Sequence, residues 1–112
     1  MTQSQDDTTA GGVQDAVECA RYLKALGDPL RLQMIRALQS GPKTVSDIAL
    51  LLELEMSNVS HHLRVLYHAG LVSTQRDGKF IYYSLNKELV KSRALPAGRF
   101  DFGCCRLDLG AQ

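Results

Sequence analysis

The chain has 112 residues, 45% hydrophobic and 22% charged, which suits one small domain with its own packed core. Three cysteines are too few and too odd for a disulfide scaffold, the longest clean apolar run (Ile48 to Leu52) is far too short for a membrane span, and nothing reads as a signal peptide. Net charge is only +1, but residues 1–56 carry five Lys/Arg against eight Asp/Glu while residues 57–93 carry six against two, so the surface a polyanion needs is expected in the second half.

Residues 1–12, polar, acidic and ending in glycine, read as a disordered leader. Helical spacing begins at Val13, where Val13, Ala16, Val17, Ala20 and Leu23 fall on one face, and Gly27 is a natural C-cap. Asp28 then caps a second helix with Pro29 at its first position; Leu32, Ile35 and either Leu38 or Met34 supply its buried stripe, and Ser40-Gly41-Pro42 stops it. Thr44 and Asp47 form a capping-box pattern before a short helix with Ile48, Ala49 and Leu52 inward. A break near Leu54 to Met56 precedes another helix with Val59, Leu63 and Leu66 inward, ended by Gly70. Two helices with a tight break are the helix-turn-helix pattern.

The period then changes to two. The stretch LVSTQRDGKFIYYSL predicts two strands about an Asp77-Gly78 type I′ loop, with one of Tyr82 and Tyr83 in the core and the other on the surface. Asn86 can cap a short last helix over residues 87–92, broken by Pro96-Ala97-Gly98. The tail, with Phe100/Phe102 and Leu107/Leu109 alternating about Gly103, reads as extended. The expected fold is α+β, mainly α: a winged helix-turn-helix with a two-stranded β-hairpin wing over residues 13–93 and an extended cysteine-bearing tail over residues 94–112.

A major groove admits one α-helix, whose exposed N-terminal end reaches base edges. Here that end offers Ser57, Asn58, Ser60, His61, His62 and Arg64, and the wing adds Arg76 and Lys79 for phosphates. Double-stranded DNA is the expected partner. Plainer roles stand beside these: Ser57 and Asn58 as helix caps, His62 as a packing residue, Arg76 and Lys79 as solubilising charges. An enzyme is not expected, because no nucleophile-base-acid set and no phosphate-cradling glycine loop is visible.

The segments LKALGDPLRLQMIRAL, TVSDIALLLELEMSNVSHHLRVLYHAGLV and RDGKFIYYSL together resemble the ArsR/SmtB family of winged-helix repressors, over about residues 17–86. The resemblance implies a homodimer on an inverted-repeat operator, commonly released when a toxic metal or metalloid binds; a reducing cytoplasm is the default expected where no signal peptide or membrane span is read. The chain departs from the pattern in its turn, Glu53-Leu54-Glu55-Met56 in place of a Gly-Leu-Ser-Gln-like sequence, so base preference does not carry over. A family Cys-x-Cys metal site would fall on Thr44 and Ser46, which have no thiolate, and the short last helix has no histidine for a second type of site.

Cys104 and Cys105 are the remaining feature. Adjacent Cα atoms lie about 3.8 Å apart, below the roughly 4.4–6.8 Å of disulfides, so these two do not bridge each other readily. Both sulfurs can address one thiophilic ion, with Gly103 giving the backbone freedom. The resemblance implies that the first helix lies near the C-terminal region, which makes Cys19 a third ligand, within one chain or across a dimer. No permanent cofactor is expected, only a regulatory ion such as As(III) or Cd(II). The alternatives are a repressor switched by cysteine oxidation or sulfur species, a structural Cys19 with no sensing role, and, further off, a winged-helix protein-interaction module.

Overall fold

The computed structural model describes residues 12–87 and 98–110. Four helices come first: α1 (Gly12–Ala25), α2 (Pro29–Leu38), α3 (Val45–Leu52) and α4 (Met56–His68). Two hairpins follow, β1 (Val72–Asp77) with β2 (Phe80–Leu85), and β3 (Arg99–Asp101) with β4 (Arg106–Asp108). The expected leader and the expected helix over residues 87–92 lie outside the described residues, apart from Gly12 and Lys87.

Local chemistry sets the starts of α2 and α3. The Asp28 carboxylate accepts from the Leu30 and Arg31 amides, with Pro29 in the first turn. At α3 the capping box is complete: Thr44 Oγ1 accepts from the Asp47 amide and Asp47 Oδ2 from the Thr44 amide. Such caps contribute about 1 kcal/mol each. These amide and hydroxyl bonds at Thr44 also hold the Asp47 carboxyl below its usual range. Glu53 ends α3 at φ 58, the one non-glycine residue with positive φ among those described.

The core is built from Met34, Ile35 and Leu38 of α2, Ile48 and Ala49 of α3, and Val59, Leu63 and Leu66 of α4, with Leu71 and Val72 at the base of the wing. On α1 the buried residues are Tyr22 and Ala25, followed by Leu26, with Cys19 half-buried on the same side. Of the apolar stripe read from the sequence, Ala16, Val17, Ala20 and Leu23 are exposed. The helix has two apolar faces, and periodicity alone does not say which one meets the core. Gly27 does not adopt the left-handed conformation expected of a C-cap glycine.

The wing pairs Asp77 with Phe80, so its loop is Gly78-Lys79 rather than Asp77-Gly78. Gly78 has φ 63 while Asp77 and Lys79 are not positive, the pattern of a type II′ rather than a type I′ turn. Lys43 adds a bridge to the outer edge of β2 through reciprocal backbone bonds with Tyr83 (2.7 and 2.9 Å), and both Tyr82 and Tyr83 are half-buried.

The tail is a folded hairpin, not merely an extended strand. Phe100 is 1% exposed and Phe102 is 4%; their rings stack (centroids 6.2 Å) and Phe102 meets Tyr22 of α1 at 6.0 Å. Arg36 of α2 donates from Nη2 to the carbonyls of Leu109 (2.8 Å) and Gly110 (2.7 Å), and Gln39 bonds both Gly98 and Arg99. Gly98 has φ +85, and a Cβ there would overlap the Gly110 carbonyl oxygen.

Candidate nucleic-acid interface and thiol cluster

The N-terminal end of α4 presents Ser57, Asn58, His61 and Arg64 to solvent, with Ser60 half-buried. Ser57 and Asn58 do not cap the helix: the cap position is Glu55, which makes no side-chain cap bond. Their short polar side chains and the uncapped first-turn amides therefore face outward together, the arrangement that accepts a phosphate or a base edge. Arg76 and Lys79 are exposed at the tip of the wing, where Arg76 Nη1 approaches the Gly78 carbonyl at 3.4 Å and Lys79 lies 5.7 Å from the Phe80 ring centroid.

His62 turns the other way. Its side chain is 11% exposed, and Nδ1 lies 3.0 Å from Arg31 Nη1 and 3.9 Å from Asp28 Oδ2. An arginine only donates, so Nδ1 accepts and the ring proton sits on Nε2. The Asp28 distance would suit an ion pair, but only with an imidazolium, which could not accept from Arg31. Burial, then the Arg31 and His61 charges, lowers the His62 pKa against the opposing pull of Asp28, so the neutral ring prevails at neutral pH. The Asp28 carboxyl is shifted down: burial opposes its ionisation, but the Arg31 amide bond, the His62 charge and the Leu30 amide outweigh it. Arg31 also donates from Nε to the Ala25 carbonyl at the end of α1. Residues 28 and 31 carried no sign of this in the sequence beyond Asp28's cap, because His62 lies 31 positions beyond Arg31 and further still from Asp28.

The other cluster joins residues 85 positions apart. Cys19, Cys104 and Cys105 place their sulfurs within 4.8 Å of one another, all three half-buried. Cys19 comes from α1; the other two occupy the β3–β4 loop, held by Gly103 at φ +87, whose amide donates to Asp101 Oδ1 (2.9 Å), and by the Phe102 amide bonded to the Cys105 carbonyl (2.9 Å). Cys19 and Cys104 are joined as a disulfide with Cα atoms 6.0 Å apart, a span within the ordinary range, while Cys105 is a free thiol. Among the described residues this is the one group of three or more His, Cys, Asp or Glu side chains close enough to share a metal ion. Reduced, it offers three thiolates, a set suited to soft ions, from a single chain. Oxidised, it has spent two of them. Thr44 and Ser46 lie at the start of α3 with no thiol between them.

Residues 28–74 match the model of the arsR family of bacterial regulatory proteins. The regulator NmtR of Mycobacterium tuberculosis is 46% identical over 72 residues, 64% of this chain and 60% of that protein, so the chain spans less than two thirds of that relative. The transcriptional repressor SdpR of Bacillus subtilis is 40% identical over 68 residues, 61% of this chain and 76% of that one. A homodimeric winged helix-turn-helix DNA-binding domain from Mycobacterium bovis superposes with a TM-score of 0.62 at 30% identity, covering 73% of this chain and 78% of that one. With its four helices, its wing and these likenesses, the chain belongs to the ArsR family of winged helix-turn-helix regulators.

Proposed function

We propose that this protein is a transcriptional repressor that binds double-stranded DNA as a homodimer and leaves its operator when a thiophilic metal or metalloid, arsenite-like or cadmium-like, occupies Cys19, Cys104 and Cys105. The observation that carries the sensing role is the meeting of the three sulfurs within 4.8 Å in one chain. Three thiolates without a fourth donor suit a three-coordinate ion such as As(III) better than zinc, which asks for four ligands. On the DNA side, Ser57, Asn58, Ser60, His61 and Arg64 enter the major groove and Arg76 and Lys79 meet phosphates, with His62 acting from beneath. The exposed stripe of Ala16, Val17, Ala20 and Leu23 supplies an apolar face for the second protomer. Among the described residues no helix is long and apolar enough to cross a membrane, and a regulator of this kind works in the cytoplasm.

The test is an anaerobic titration of the reduced protein with As(III), Cd(II) and Zn(II), following the sulfur-to-metal charge-transfer band, the free-thiol count and operator affinity. One ion per chain should protect three thiols and weaken operator binding. The variant carrying Cys104→Ser and Cys105→Ser should bind DNA and ignore the ion; an unaltered response in it refutes the sensing role. DNA binding itself should weaken steeply with salt and with Arg64→Ala or Arg76→Ala. Indifference to both would leave a protein-interaction module.

The Cys19–Cys104 disulfide supports a second reading. Two thiols yield it by passing two electrons and two protons to an external oxidant, and the ion site is lost in the same step. Regulation that persists under strict reduction counts against oxidation as the signal.

A further inference from the structure

We propose that Arg31 and His62 are positioning residues that link the thiol-bearing helix to the recognition helix, so that occupation of the thiol cluster resets α4 through this pair. The inference rests on the reading of Cys19, Cys104 and Cys105 as the effector site and of α4 as the DNA-contacting helix.

The link is short and made of directional bonds. Cys19 lies on α1 six residues before Ala25, about 9 Å along the axis at roughly 1.5 Å per residue. Cys19, Tyr22 and Ala25 share the inward side of that helix. A pull on the Cys19 sulfur is passed along α1 to Ala25, because the hydrogen-bonded backbone of one short helix moves as a body. The C-terminal carbonyl of α1, at Ala25, accepts from Arg31 Nε. The same guanidinium reaches His62 Nδ1 through Nη1 at 3.0 Å. Its nitrogens form one rigid plane, so the end of α1 and the inner side of α4 are held by a single body.

The groups around His62 sharpen this. Asp28 and Arg31 face it from the start of α2 and His61 adjoins it on α4, with ring centroids 5.2 Å apart. Asp28 Oδ2 is itself fixed by the amides of Leu30 and Arg31 at 2.9 and 3.1 Å. His62 lies between Val59 and Leu63, which fill the core, and beside His61, which is exposed on the proposed DNA face. A leucine at position 62 would fill the same space without desolvating a ring nitrogen. What the polar pair adds is a defined setting of α4 relative to α1, which apolar contacts leave loose.

The test compares the reduced wild-type protein with Arg31→Lys, His62→Phe and His62→Asn. Each is assayed on a DNA duplex selected by the wild-type protein from a random pool, with and without saturating arsenite, alongside the count of protected thiols. The readout is the ratio of the two affinities, not basal affinity, which a merely structural role would also change. In the wild type the ratio should fall in the usual range for coupled sites, about 5–150-fold. It should collapse toward one in Arg31→Lys, which cannot hold both partners, and in His62→Phe, while all three thiols stay protected. His62→Asn, whose amide oxygen can stand where Nδ1 stood, should keep most of it. If His62→Phe fails to fold, Arg31→Lys decides alone. A wild-type ratio in Arg31→Lys overturns the link, as does a loss in His62→Asn equal to that in His62→Phe. Protected thiols with no ratio in the wild type overturn it as well, whereas unprotected thiols overturn the effector reading on which it stands.

Discussion

Truncating Phe100 asks whether the C-terminal hairpin is part of the core or an appendage. Its ring is 1% exposed and stacks on Phe102, which meets Tyr22 of α1. Phe→Ala at so buried a site removes the transfer energy of the ring and leaves a cavity, about 3–5 kcal/mol together. Against the roughly 5–15 kcal/mol that holds a domain of this size, that is a large share. At about 4 °C per kcal/mol, the melting temperature should drop by about 12–20 °C. The assay is urea and thermal unfolding of the reduced protein, with Phe80→Ala as the control; Phe80 is 51% exposed and should cost no more than about 1 kcal/mol. The site should follow the fold: with the hairpin loosened, Cys104 and Cys105 no longer stay beside Cys19, and arsenite should protect fewer thiols at equal concentration. A Phe100→Ala protein within about 1 kcal/mol of the wild type would refute the placement of the hairpin in the core, and with it the basis of the three-sulfur cluster.

The remaining predictions follow from single features. His62 ordinarily titrates near 6.5 and the folded protein lowers that value, so the unfolded chain binds more protons just below it. Its contribution to stability is therefore complete above about pH 6.5 and is lost as pH falls through the folded pKa; urea unfolding from pH 8 to 5 should show that slope in the wild type and not in His62→Asn, with Asp28 acting separately below its ordinary 3.8. The Cys19–Cys104 disulfide closes a separation of 85 residues, so oxidation should raise stability by about 2–4 kcal/mol over the reduced protein, read as a shift in urea midpoint that Cys19→Ser abolishes. Gly98→Ala should cost about 1–3 kcal/mol, since φ is +85 and the added Cβ meets the Gly110 carbonyl, and it should slow formation of that disulfide; unchanged unfolding and oxidation rates would show that the hairpin closes otherwise.

Much of the fold was legible because it is written in local chemistry. Asp28-Pro29, the Thr44–Asp47 box and the Val59-Leu63-Leu66 spacing each act within a few residues, and each appears as read. The sequence is ambiguous where two local solutions are nearly equivalent. An Asp-Gly pair permits a loop at either of two registers, and the bridge from Lys43 to Tyr83 and the burial of Val72 accompany the one that places Gly78 first. On α1 both apolar faces satisfy the helical period; the covered one carries Tyr22, met by Phe102 from the tail, while Leu23 is exposed.

For the site, the sequence determined the residue types: a short polar set at the head of a helix, basic residues at a hairpin tip, and two adjacent cysteines unable to bridge each other readily. Those conclusions need only spacing and the chemistry of each side chain. The tertiary structure decided who meets whom. It turned His62 inward onto Arg31, it folded the tail into a hairpin pinned by Arg36 and Gln39, and it brought Cys19 across 85 residues to Cys104 and Cys105. Such meetings depend on the closing of the whole chain around one core, a cooperative balance of burial against entropy that no short window of sequence contains.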